Sequence, residues 1–142
     1  MNRRISEAEL EAKWGKAALA LGWTPVPTAL LFLQSELGMS AIETNTLIHL
    51  LSHWWKVSDE VYPSQDAIAN RMGVSKRTVQ RAIDRLEFLK LIEVKPTPRG
   101  GKYNGRNIYN LKPLSVILEH AAPNLRNRMT MVREWKMEIS NE

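Results

Sequence analysis

The chain of 142 residues has no cysteine. Disulfides, thiolate metal centres and cysteine nucleophiles are therefore excluded, and a reducing, cytoplasmic setting is expected. Long apolar runs are missing too. The longest, Ala29 to Leu33, is far too short to span a bilayer. The N-terminus, Met1-Asn2-Arg3-Arg4-Ile5-Ser6, turns acidic at once with no apolar run behind it, which argues against a signal peptide. There is no internal repeat and no low-complexity segment. Catalytic patterns are equally scarce. No carboxylate pair and no Ser-His-Asp order stands out, and Gly100-Gly101 and Gly105 are not followed by the Gly-Lys-Ser/Thr of a phosphate loop. His49 and His53 have a zinc-compatible i, i+4 spacing, but Leu50 occupies the Glu position of a metalloprotease helix and His120, the third histidine, is distant. The chain is expected to be no enzyme and to use no metal and no cofactor.

What is present is a core and an uneven charge. Hydrophobic residues make up 44%, enough for one domain with a small helical companion. The net charge is +5. From Arg71 to Arg106 there are ten Lys/Arg against three Asp/Glu, a net of +7, while the remaining residues hold ten against twelve, a net of −2. The positive field belongs to one stretch, and an acidic partner such as nucleic acid suits it.

The N-terminal part is helical in pattern. Ser6 with Glu9 forms a capping box, and the helix it starts is expected to run to about Leu21, where Gly22 can end it. Trp23-Thr24-Pro25-Val26-Pro27 must be extended, since each proline biases its predecessor away from helix. A short helix, Thr28 to Leu37, is stopped by Gly38. Ser40 and Glu43 form a second box, opening a helix expected to reach about Lys56. Its apolar stripe is Leu47, Ile48, Leu50, Leu51, Trp54 and Trp55, opposite Asn45, His49, Ser52, His53 and Lys56. So wide a stripe must be covered, either as core or, for one Trp, at a dimer interface.

The basic stretch has a denser punctuation. Asp59 to Tyr62 is a connector in which Val61-Tyr62 suits a short strand. Pro63-Ser64 opens a helix, with Ser64 as N-cap, Asp66 in the first turn and Ala67, Ile68 and Met72 on its buried side. Gly73 supplies the positive φ of a turn, Val74 plugs the corner and Ser75 caps the next helix. In that helix Val79, Ala82, Ile83 and Leu86 share the packed side, and Arg77, Arg81 and Asp84 lie opposite, flanked by Gln80 and Lys76. Leu91-Ile92-Glu93-Val94-Lys95 has strand composition, residues 96–106 read as a loop, and Asn107-Ile108-Tyr109-Asn110-Leu111 is the return strand with Tyr109 and Leu111 inward.

Two helices about a glycine turn, then a hairpin with a basic loop, is the layout of a winged helix-turn-helix. The fold class expected is mainly α with a small antiparallel β-hairpin. It divides into an N-terminal helical segment (1–60), the winged domain (61–112) and C-terminal helices (113–142). Such a helix presents its N-terminal residues to base edges in the major groove. Arg pairs bidentately with guanine and Gln with adenine. Arg77, Gln80 and Arg81, flanked by Lys76, are therefore the expected base-reading residues. Ser64, Ser75, Thr78 and Arg85 stand where phosphates pass. In the loop Arg99, Lys102 and Arg106 are the cations and Tyr103 the one aromatic, suited to a phosphate backbone or the minor groove. An ordinary mobile hairpin is the plainer alternative.

Pro63 to Leu111 resembles the winged helix-turn-helix family shared by bacterial transcription regulators and by plasmid and phage replication initiators. The residues that carry the resemblance are Pro63-Ser64, Ile68-Ala69, Met72-Gly73-Val74-Ser75, Arg77-Thr78-Val79, Arg81, Leu86-Glu87, Leu91-Ile92 and Asn107 to Leu111. Trp14-Gly15 through Trp54-Trp55 is similar to the lead-in of helix-turn-helix proteins from plasmids and other mobile elements. Two positions depart from the pattern. Lys90 stands where the family commonly has Gly, and a positive φ there would cost Lys about 1 kcal/mol. Phe88 falls on the polar side of its helix.

At the C-terminus Pro113 starts a helix with Leu114, Val116, Ile117 and Leu118, and Pro123 is expected to break it. A last helix from about Asn124 carries Leu125, Met129, Val132 and Ile139 in a heptad-like stripe, with Lys136 in the missing position and Trp135 beside it. It can pack on its own domain or pair with a second copy, and the second option gives a homodimer with two recognition helices about 34 Å apart. Three functions are open: a dimeric transcription regulator (repressor or autoregulator) of duplex DNA, a plasmid or phage replication-initiation or partition accessory protein, and a protein-binding adaptor on the same scaffold.

Overall fold

The computed structural model describes residues 4–141, so residues 1–3 and 142 of the two outer segments lie outside the described residues. The first helix, α1 (Glu7–Trp14), is capped as expected, Ser6 accepting the Glu9 N–H at 3.2 Å. It does not continue to Leu21. Gly15 takes φ 85 and ψ 154, outside the helical region, and α2 (Lys16–Leu19) follows as a separate turn. Glycine is among the poorest helix formers and tolerates a positive φ, so the chain bends at the first residue that allows it. These two helices pack on each other, and Leu10 is their only buried residue.

Next, α3 (Thr28–Leu33) ends four residues before the expected Leu37. The chain then tightens through turns closed at Gly38, where the Gly38 and Met39 N–H groups reach the Ser35 and Gln34 carbonyls at 3.0 and 3.1 Å. Ser40 caps α4 (Ala41–Leu51), accepting the Glu43 N–H at 3.2 Å. This helix stops at Leu51 rather than near Lys56. His53 and Trp54 donate three residues back, to Leu50 and Leu51, and the Asp59 carboxylate takes the Lys56 N–H at 2.7 Å. The chain beyond Leu51 is thus held by tighter turns and a local side-chain acceptor. The expected stripe is split as a result. Leu47, Leu50 and Leu51 are buried, Trp54 is half-buried, and Trp55 is 59% exposed, meeting Trp23 edge-on at 5.1 Å. Two buried residues lay outside that stripe: Thr44 and Thr46 satisfy their hydroxyls on the Ser40 and Ile42 carbonyls at 2.9 and 2.8 Å.

The helix-turn-helix follows its sequence pattern closely. Ser64 caps α5 (Gln65–Met72) through the Ala67 N–H at 3.1 Å, and Gly73 ends it at φ 68. Ser75 caps α6 (Lys76–Phe88) through the Thr78 N–H at 3.1 Å. Val79, Ala82, Ile83 and Leu86 are buried, with α6 packed against both α4 and α5. Lys90 ends α6 with φ 62, the position where glycine is usual. Its N–H reaches the Glu87 carbonyl at 2.9 Å and the Leu91 N–H reaches Leu86 at 3.1 Å, the same closure that Gly73 and Val74 make on Asn70 and Ala69. The closure drives Leu91 and Ile92 into the core, where each is 1% exposed. That burial holds lysine in a backbone region costing about 1 kcal/mol or more.

The wing consists of β1 (Glu93–Lys95) and β2 (Ile108–Asn110), antiparallel with Val94 opposite Tyr109. The other edge of β2 is taken by Val61, whose carbonyl accepts the Tyr109 N–H at 2.8 Å. β1 is tied to α6 through its Val94 N–H and the Glu87 carboxylate, 3.1 Å apart. Tyr109 and Leu111 face inward as expected. The molecule is a mostly helical winged helix-turn-helix with a two-stranded hairpin.

The expected break at Pro123 does not occur. One helix, α7 (Lys112–Asn141), runs through it. Proline's fixed φ is itself helical, and it removes one N–H and crowds one carbonyl, at roughly 3 kcal/mol. Burial of Leu114 and Leu118 before it, and packing of Leu125 after it, hold the two halves on one path. Residues 126–141 are exposed throughout. No helix among the described residues is long and apolar enough to cross a membrane.

Candidate nucleic-acid interface

Burial of one side of α6 against α4 and α5 leaves the other side facing solvent. Arg77, Gln80, Arg81 and Asp84 are exposed there. Neither Arg77 nor Arg81 has a carboxylate partner among the described residues. Lys76, on the margin, lies 3.4 Å from Asp66 in the first turn of α5. Both side chains are well exposed, so this pair is weak and yields readily to another anion. Ser75 and Thr78 share a hydroxyl contact at 2.9 Å, which keeps both at the start of α6.

Arg85 stands differently from the phosphate contact expected of it. Its Nε lies 3.7 Å from Glu43 on α4, and its guanidinium covers the Phe88 ring at 5.2 Å. Glu43 is mostly buried and also accepts from the Ser40 hydroxyl. Arg85 therefore braces α4 against α6, and Phe88, 73% exposed, is the platform on which it lies.

The wing holds Arg99 and Arg106 without a carboxylate partner among the described residues, whereas Lys102 and Tyr103 turn back to the connector. Lys102 lies 3.8 Å from Glu60, the Tyr103 hydroxyl donates to the same carboxylate, and the Tyr103 ring meets Tyr62 edge-on at 5.1 Å. The hydrogen bond to Glu60 raises the Tyr103 hydroxyl above its usual range. Between wing, α5 and α6 lies a polar cleft of about 520 Å³ lined by Ser64, Gln65, Asp66, Lys76, Gln80 and Arg106. Gln65 bridges its floor, donating to the Tyr109 hydroxyl at 3.4 Å. Burial raises that hydroxyl above its usual value, and the hydrogen bonds of Gln65 and Asn107 oppose the shift.

The structure thus gathers Ser64, Lys76, Gln80 and Arg106 around one cleft, with Arg77, Arg81 and Arg99 exposed on the same two elements. Sequence reasoning missed the acidic residues that hold three of the cations, Glu43, Glu60 and Asp66. Glu43 and Asp66 carry local signals, a capping box and a place in a helix's first turn, but neither signal points to its cation. Glu60 is 43 positions from Tyr103, and no spacing rule connects them.

The remaining clusters point elsewhere. His49 is half-buried and His53 exposed, and desolvation first, then the Arg71 charge, lowers both from the ordinary imidazole value. No group of three or more His, Asp or Glu among the described residues could hold a metal. On α7 Leu125, Met129, Val132, Arg128 and Met137 with Glu36 line an open trough of about 670 Å³, crossed by an Arg128–Glu36 ion pair at 3.0 Å. Met129, Val132, Trp135 and Ile139 are about half or more exposed.

Comparison with known proteins agrees with this architecture. Residues 37–92 match the model of a helix-turn-helix domain. No curated protein sequence matches the chain. Among solved structures, the N-terminal domain of DnaD protein from Geobacillus kaustophilus HTA426 is similar over 89% of this chain and 99% of that one, with 24% identity and a TM-score of 0.58. MarR is 18% identical over 100% of this chain and 93% of that one, with a TM-score of 0.42. A mutant of MepR from S. aureus, bound to an oligodeoxyribonucleotide, is 17% identical over 98% and 100%, also at 0.42. The first of these likenesses shows a shared fold.

Proposed function

We propose that the chain is a sequence-specific duplex-DNA-binding protein rather than an enzyme, acting as a dimeric transcription regulator of the repressor or autoregulator kind. One observation carries the reading. Arg77, Gln80 and Arg81 share the free side of a helix whose other side is wholly committed to the core, beside a wing that offers Arg99 and Arg106. The match of residues 37–92 to a helix-turn-helix domain supports it. α6 enters the major groove with its first turns leading, and Arg77, Gln80 and Arg81 meet base edges while Lys76 flanks them. Ser64, Ser75 and Thr78 contact phosphates, and the wing follows the backbone or the minor groove. Arg85 is left out of this set because its guanidinium is engaged by Glu43 and Phe88. The exposed apolar residues of α7 support pairing of two copies, which places two recognition helices about 34 Å apart on one DNA face. Lack of cysteine fits a cytoplasmic site of action.

Selection of bound sequences from random duplex DNA tests the reading. A single two-fold-related site is the expected result, with log affinity falling against log salt by about 0.9 for each phosphate contact. Recovery of repeated direct sites would instead support the replication or partition role, which uses the same surface. Enrichment of no sequence, with affinity indifferent to salt, would support the adaptor.

A further inference from the structure

We propose that Glu60 occupies a phosphate-binding position at the tip of the wing, and that the wing engages DNA by exchanging this carboxylate for a backbone phosphate. The inference rests on the duplex-binding reading above and adds to it an autoinhibitory contact.

The wing tip is built as an oxyanion receptor. The Tyr103 hydroxyl donates to one oxygen of Glu60, and the Lys102 ammonium lies 3.8 Å from the other. Two donors of different kinds, one for each oxygen, converge on a single anion. Each has a second contact. The Tyr103 ring is set by Tyr62, nearly perpendicular at 84°, and the Lys102 ammonium stands 5.3 Å from the same ring. The backbone beneath them is turned by Asn104 at φ 51 and Gly105 at φ 76, with the Gly105 N–H on the Pro98 carbonyl at 3.1 Å. A DNA phosphate offers the same two charged oxygens to the same two donors.

The carboxylate is also easy to displace. Its only partners among the described residues are Lys102 and Tyr103. It belongs to the connector before α5, and both it and Lys102 are largely exposed, 46% and 68%. Exposed pairs of this kind are weak and are screened by salt. Arg99 and Arg106, the wing's other cations, have no such occupant among the described residues. The latched wing therefore meets DNA with two free cations and gains a third only where a phosphate reaches Lys102 and Tyr103.

Glu60→Gln keeps the shape and an acceptor for Tyr103 but removes the charge that holds Lys102. Duplex affinity is measured against salt for the parent, Glu60→Gln, Lys102→Ala and the double variant. Glu60→Gln is expected to bind about three- to tenfold more tightly at low salt, with a log–log slope steeper by about 0.9. Lys102→Ala removes the proposed phosphate contact, so it is expected to weaken binding by about two- to fivefold, and the double variant is expected to bind no more tightly than Lys102→Ala alone. Unchanged or weaker binding by Glu60→Gln overturns the inference, as does a gain that survives Lys102→Ala, which would reflect net charge alone. If the parent binds no duplex, the proposed function falls and this inference with it. If the parent binds and only the Glu60→Gln effect is missing, the function stands and the latch does not.

Discussion

Arg85 on the recognition helix lies 3.7 Å from Glu43 on α4, a residue 42 positions earlier that also belongs to the cap of its own helix. The pair locks the outer end of α6 to the element behind it. Arg85→Ala is therefore expected to act on stability and not on DNA. A loss of up to about 1 kcal/mol in urea unfolding fits an ion pair that is half-exposed on one side. The salt slope of duplex binding should not change, and a slope shallower by one contact would return Arg85 to the phosphate set.

Arg77 has no such partner. Arg77→Ala should cost about 1–3 kcal/mol on the selected site and relax base choice at one position. Arg99→Ala should weaken all duplexes alike and make the salt slope shallower by about 0.9. Binding of both variants indistinguishable from the parent would place the interface elsewhere.

Lys90 is the clearest point of backbone strain. Lys90→Gly relieves the left-handed conformation at φ 62 and is expected to stabilise the fold by about 0.5–1 kcal/mol, part of the relief being offset by the entropy of glycine in the unfolded chain. Chemical denaturation reads this directly. A loss of stability would mean that the Lys90 side chain contributes more than its backbone costs.

Residues 126–141 carry the exposed apolar part of α7. Sedimentation of the full chain and of a version ending at Ala122, at equal concentration, should give a dimer and a monomer. The same association state for both would remove α7 from the assembly.

The two histidines set a pH trend. Burial and Arg71 lower His49 and His53 in the folded protein, so the unfolded chain binds protons more readily. Their contribution to stability is full above the ordinary imidazole value of about 6.5 and is lost as pH falls through that value toward the lowered ones. Thermal unfolding should show a decline from about pH 7 to 5 that is flatter in His53→Gln. An identical decline in that variant would remove His53 from the trend and leave it to His49 and the carboxylates.

Local chemistry made most of the winged domain legible. Ser64, Gly73, Ser75 and the Val79-Ala82-Ile83-Leu86 side each follow from capping, positive φ or helical period, and all three signals lie within a few residues. Helix ends were harder. Gly15 stops one helix that periodicity alone carries further, α4 tightens into three-residue turns after Leu51, and Pro123 fails to stop α7. Breaking or continuing there is a balance of a few kcal/mol, and packing on other elements decides it.

The sequence by itself determined the fold class, the side of α6 that faces outward, and the concentration of positive charge between Arg71 and Arg106. Each is a property of neighbours in the chain. Tertiary structure alone decided which of those charges are free. Glu43, Glu60 and Asp66 come from other elements to meet Arg85, Lys102 and Lys76, and Arg77, Arg81, Arg99 and Arg106 are left without a carboxylate partner among the described residues. An ion pair depends on distance in space, and spacing along the chain carries no record of it across separate elements.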